Sequence, residues 1–175
     1  MMKAFTLGAT LLVCARLIPN AAHASDAEPR LPPSPERYRF VLGAGAAAEM
    51  ETTTAGHSGA AAFLELEAVD EWLELELGAQ LLATAPGREA SLDLLLKKPF
   101  RVTPRLEVMT GLGLTVIRAS GAGETRTSWG IEAAVDFMYW PVGRLGFWAE
   151  PAYEIVLSGG FARALSCTAG PMLRF

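Results

Sequence analysis

The chain is poor in the residues that enzymes and metal sites use most. It has 2 cysteines and 2 histidines among 175 residues. Cys14 and His23 lie near the N-terminus, so the remainder holds one of each, Cys167 and His57. One cysteine excludes an intrachain disulfide, and without clustered His or Cys no metal site is expected. Basic charge is also short: 15 Lys and Arg face 19 Asp and Glu, a formal charge of −4. That balance argues against nucleic acid as a partner. The apolar run from Ala4 to Leu17, interrupted by Arg16, is too short to cross a bilayer as a helix. Helical spacing of apolar residues is nowhere sustained.

What is present begins with an export signal. Lys3, the apolar run, Pro19 and then Ala21-Ala22-His23-Ala24 follow the order of a secretory signal peptide, residues 1–24, cut after Ala24. Val13 stands where lipoprotein processing needs a small residue before Cys14, so lipidation is not expected. Removing residues 1–24 takes away Lys3 and Arg16 and leaves 13 basic groups against 19 acidic ones, or −6. Residues 25–36 carry Pro29, Pro32, Pro33 and Pro35 and read as an extended polar leader. Residues 37–175 suit one domain.

Within that domain the recurring pattern is alternation, the period of strands whose two faces meet different surroundings. Leu73, Leu75, Leu77, Ala79 and Leu81 oppose Glu74, Glu76 and Gln80; Ala62, Leu64, Leu66 and Ala68 oppose Glu65 and Glu67. Leu92, Leu94 and Leu96 oppose Asp93 and Lys97, and Leu106, Val108, Leu112 and Leu114 oppose Arg105 and Glu107. Trp129 through Tyr139 oppose Glu132 and Asp136, and Leu145 through Tyr153 oppose Glu150 and Glu154. With Phe40 and Leu42 against Arg37 and Arg39, and a last strand ending Leu173-Arg174-Phe175, the reading reaches eight strands. Pro151 sits inside one of them and predicts a bulge or kink.

Connections divide into two sets. Asp70-Glu71, Arg101 to Pro104 and Pro141 to Gly143 read as short turns, whereas Glu51 to Gly59, Thr84 to Glu89, Ser120 to Thr127 and Ser158 to Gly160 read as longer polar loops. Tyr38, Phe40, Trp72, Phe100, Tyr139, Trp140 and Phe147 fall at the strand ends beside the short turns and are expected to form an aromatic girdle with Phe175. Phe63, Trp129 and Phe161 would form a thinner belt at the other ends.

The last eight residues, Thr168 to Phe175, resemble the assembly signal of bacterial outer-membrane β-barrel proteins, with Thr168, Gly170, Leu173 and Phe175 in its polar, glycine, apolar and aromatic slots. The alternation over the whole mature chain is similar to that of small eight-stranded barrels of the outer membrane protein A and X type. The resemblance implies an all-β fold, an eight-stranded antiparallel up-and-down transmembrane barrel in the cell outer membrane with both termini periplasmic. Implied partners are outer-membrane lipid and lipopolysaccharide, the barrel assembly machinery and periplasmic chaperones, with the barrel itself a monomer.

In such a barrel the apolar face meets lipid and the other face fills the lumen. The lumenal charge network is then Arg37, Arg39, Glu65, Glu67, Glu74, Glu76, Asp93, Lys97, Arg105, Glu107, Glu132, Asp136, Glu150, Glu154 and Arg174, with opposite charges pairing across the interior. No catalytic residue and no cofactor are expected. His57 and Ser58 are adjacent on extended chain and point to opposite sides, a poor nucleophile and base. Ser158 and Ser166 lack the nearby His that lipid A deacylases use, and His57 with Ser58 mimics only part of a palmitoyltransferase site. The function expected is a non-enzymatic barrel with a plugged, charged lumen and a structural or surface-interaction role. The alternatives are a lipid A modifying enzyme, a narrow pore for small polar solutes, or, with the apolar face inward, a soluble lipocalin-like carrier.

Overall fold

A computed structural model describes residues 39–51, 56–70, 72–84, 87–121, 123–158 and 162–175. The signal peptide, the leader, Arg37, Tyr38 and Phe161 lie outside the described residues. The eight strands are β1 (Phe40–Glu51), β2 (His57–Val69), β3 (Leu73–Thr84), β4 (Gly87–Thr103), β5 (Leu106–Gly121), β6 (Glu124–Val142), β7 (Leu145–Val156) and β8 (Ala162–Arg174). Each pairs antiparallel with the next, and β1 pairs with β8 from Val41 opposite Arg174 to Glu51 opposite Ala164, so the sheet closes.

Local propensity does not explain these strands. β3 begins Leu-Glu-Leu-Glu-Leu, built from good helix formers. A helix would scatter those residues around its axis, whereas a strand puts every Leu on one face and every Glu on the other. The period therefore decides. Burial follows it along each strand: Leu77, Leu81, Leu92, Leu94, Leu96, Leu112 and Leu114 are exposed on the outer face, while Glu65, Glu76, Lys97, Thr115 and Asp136 are buried inside. The outer face is a broad apolar band, suited to hydrocarbon.

Several expectations about connections and bends are corrected. Thr84, Gly87 to Glu89, Ser120, Gly121 and Glu124 to Thr127 are strand, because β3 runs on to Thr84, β4 starts at Gly87, β5 runs on to Gly121 and β6 starts at Glu124. His57 likewise starts β2, opposite Glu49, rather than lying in a loop. The register carries through Pro151 unshifted: Ala134 faces Ala152 on one side and Phe137 faces Ala149 on the other. Pro151 is accommodated by a local lapse in pairing, with its ring exposed. The register shifts occur instead at the turns nearest the termini, between Glu67 and Val69, Arg101 and Thr103, and Tyr139 and Val142. A shift there ends a ladder without moving the faces of the strand beyond.

At the closing seam, pairing lapses between Gly43 opposite Met172 and Ala46 opposite Ala169, beside Pro171, which has no N–H to donate. The two backbones approach closely: a Cβ on Gly45 would fall on the Ala169 carbonyl, and one on Gly170 on the Ala44 carbonyl. Gly45→Val should therefore lower stability by about 1–3 kcal/mol in urea unfolding of the detergent-refolded barrel. Ala46→Val, outward on the same seam, should cost under about 0.5 kcal/mol. Equal losses would show that the seam does not need glycine.

Candidate functional site

The lumen is the only place where the described residues gather buried polar chemistry, and it is organised in three levels. At its centre is Lys97 of β4, with no solvent exposure. Its ammonium donates to Glu76 Oε2 of β3 at 2.6 Å, Asp136 Oδ2 of β6 at 2.6 Å and Glu150 Oε2 of β7 at 2.5 Å. An ammonium has three donors, and three strands supply one acceptor to each. The geometry depends on small neighbours. A Cβ on Gly111 of β5 would strike the Lys97 stem, and one on Gly78 of β3 would strike the Asp93 carboxylate. Glycine on one strand thus leaves room for a long side chain from the next, the small-against-large packing a narrow barrel needs.

On the side of the termini the lumen holds an apolar cluster. Phe63, Met109, Met138, Trp140, Trp148 and Met172 form one buried cluster. Phe63 meets Trp148 edge to face with centroids 4.8 Å apart. The Phe63 ring lies where a Cβ on Gly43 would stand, and Trp140 and Met172 fill the corresponding space over Gly146. Arg174 lies over Trp140 at 4.4 Å, and its Nε donates to the Gly143 carbonyl at 2.9 Å. Aromatic and methionine side chains therefore pack together inside this end of the barrel.

On the other side of Lys97 is a cavity of about 30 Å³ bordered by Glu49, Asp93, Glu132, Glu150, Glu154 and Thr168. Its lining contains no Lys or Arg among the described residues. Asp93 Oδ2 and the Trp148 indole N–H, both on this cavity, have no protein partner among the described residues. A cavity of this size holds only a few water-sized groups.

Set against the expected lumenal set, Glu65, Glu76, Lys97, Glu132, Asp136 and Glu154 are buried, and Glu67, Glu74, Asp93, Glu107, Glu150 and Arg174 are partly buried. Arg39 and Arg105 are exposed, Arg105 in the turn after β4, so Lys97 is the cation at the knot. Trp140 is corrected from the outer girdle to the interior, 6% exposed, and Phe63 likewise from the second belt, 5% exposed. Both have inward parity, and a glycine across the ladder makes space for each. That pairing of aromatic with glycine is the sequence signal that separates these two rings from the girdle. Phe40, Trp72, Phe100, Tyr139, Phe147 and Phe175 are exposed, as is Trp129 at the far end. In the tail, Thr168 is buried, Gly170 packs on the seam, and Leu173 and Phe175 face outward.

A catalytic reading gains no geometry. His57 and Ser58 alternate across β2, and Ser158 Oγ accepts the Trp129 backbone N–H at 2.8 Å. One carboxylate trio among the described residues, Glu65, Glu76 and Asp136, has spacing that suits a metal ion. The Lys97 ammonium already contacts two of the three at 2.6 Å and supplies the positive charge there.

Solved structures match this architecture over nearly their whole length. Neisserial surface protein A is 16% identical with a TM-score of 0.63, covering 78% of this chain and 97% of its own. The chain has the fold of the small eight-stranded outer-membrane barrels. OprG of Pseudomonas aeruginosa is 11% identical, covering 81% of this chain and 97% of its own at a TM-score of 0.61. Ail, the attachment invasion locus protein of Yersinia pestis, is 13% identical, covering 78% and 97% at 0.58. No family model and no curated protein matches the sequence.

Lys97→Met should leave three carboxylates crowded without their cation and destabilise the barrel by about 3–5 kcal/mol in denaturant unfolding. Lys97→Met combined with Glu76→Gln and Asp136→Asn should recover part of that loss. A single variant as stable as the parent would show that the ammonium is not structurally needed.

Proposed function

We propose that this protein is a non-enzymatic barrel of the bacterial outer membrane with periplasmic termini and a lumen closed to solutes, acting through its envelope-facing surface and its outer rim. One observation supports the reading: the Lys97 knot joins four strands across the interior, with the aromatic and methionine cluster beneath it. An eight-stranded barrel has an interior just wide enough for side chains, and these two groups lie within it. The apolar outer band supports the membrane setting. The terminal residues 168–175 serve as the signal read by the assembly machinery, after periplasmic chaperones have carried the unfolded chain. Lipopolysaccharide and membrane lipid are its standing partners, and the barrel works as a monomer.

The connections limit the surface role. Those joining β1 to β2 and β7 to β8 are five residues long, at 52–56 and 157–161, and the other two at that end have two residues. Recognition therefore falls to the rim and the flanks of the strands. That contrasts with a protein built around large adhesive loops.

Conductance tests the closed lumen. Purified barrel in planar bilayers should give no discrete openings at about 100 mV, a potential worth about 2.3 kcal/mol per charge. Regular single-channel steps that vanish on heat denaturation would replace this reading with a pore.

A further inference from the structure

The charges of this barrel are sorted by sign as well as by face. By strand alternation every Asp and Glu with a described side chain in β1 to β8 faces inward, from Glu49 to Glu154. The charged residues with outward parity are Arg88, Lys98, Arg118 and Arg163, all cations. Lys98 lies over Trp72 near the termini, 5.3 Å from the ring centroid. Arg88 and Arg118 stand together at the opposite end.

Their closeness follows from the register. Arg88 of β4 faces Ser120 of β5, and Ala90 faces Arg118, so the two arginines are diagonal neighbours on one face. Such positions lie roughly 7–8 Å apart, within reach of long side chains. Both are exposed, and neither forms an ion pair among the described residues. Two like charges at this spacing repel unless an anion joins them. The neighbours on β6 add hydroxyls: Ser120 faces Thr125, and Arg118 faces Thr127. Directly below, toward the apolar band, are Leu92, Val116 and Trp129, all exposed. A phosphate held by guanidinium groups and hydroxyls, with hydrocarbon immediately beneath it, describes a lipid and not a soluble ion.

We propose that the outward face of β4, β5 and β6 at the end away from the termini is a binding site for a phosphorylated glycolipid of the outer leaflet, with Arg88 and Arg118 clamping its phosphate. The assignment to the outer leaflet rests on the orientation proposed above. Apolar residues below the arginines seat the acyl chains, and the absence of any outward carboxylate at these positions of β3 to β6 keeps the site free of competition.

The test uses the folded full barrel in uncharged detergent micelles, titrated with purified lipid A and with chemically dephosphorylated lipid A, bound lipid being counted by native mass spectrometry. Lipid A should bind the parent at least about tenfold more tightly than its dephosphorylated form. The R88A/R118A variant should lose a similar factor, while R163A, on β8, should not. A dephosphorylated lipid that binds the parent equally well, or a double variant with undiminished affinity, would overturn the proposal. The lipid comparison needs no variant, so a folding failure does not shelter the idea. Orientation is read separately, by labelling E124C in a C167S background on intact cells with an impermeant maleimide. Labelling supports the outer leaflet; protection until the outer membrane is opened would overturn the orientation and that leaflet, while the micelle affinities report on the phosphate site alone.

Discussion

Closure of the β1–β8 seam is the constraint on which everything else depends. Inside a bilayer an open sheet edge leaves a row of backbone groups with no partner, each at a cost of several kcal/mol. Eight strands closed on themselves remove the edge. They also set a narrow interior, so the lumen has to be filled by side chains chosen for fit. Glycines at Gly43, Gly78, Gly111 and Gly146 are the counterpart of that demand, each yielding its space to a ring, a carboxylate or a lysine stem from a neighbouring strand.

The lumen's chemistry follows from the same geometry. Lys97 is excluded from water, so its charge must be met by protein, and Glu76, Asp136 and Glu150 meet it from three strands distributed around the wall. The knot thereby ties β3, β4, β6 and β7 across the interior. Below it the methionine and aromatic cluster supplies apolar contact, and Met side chains suit such a space because they adapt to irregular gaps. Above it carboxylates prevail around a small cavity. The interior thus differs along its axis, with the aromatic and methionine cluster toward the termini and the carboxylate-bordered cavity toward the far end.

Much of the fold was legible in the sequence because a membrane barrel exposes its two faces to opposite solvents, and alternation records this residue by residue. Leu73 to Leu81 needed no long-range information to be sorted. The interior was less legible, since inward parity says that Phe63, Trp140 and Lys97 share a lumen without saying what each touches. Trp140 stands at a strand end, as a girdle residue does, yet its parity is inward and Gly146 receives it. Arg105 had lumenal parity too, but it falls in the turn, where the chain has left the ladder. Loop lengths are hard to read where Gly, Thr and Ser sit within extended ladders: Gly87 to Glu89, Ser120, Gly121 and Glu124 to Thr127 are strand above the apolar band.

The most direct test of the account is electrophoretic mobility of the protein from the outer-membrane fraction, with and without boiling in detergent. A closed ladder that resists detergent should migrate as a compact species when unheated and shift to the mobility of the unfolded chain after boiling. Recovery from the soluble periplasmic fraction, with one mobility under both treatments, would contradict a transmembrane barrel and turn the apolar face inward.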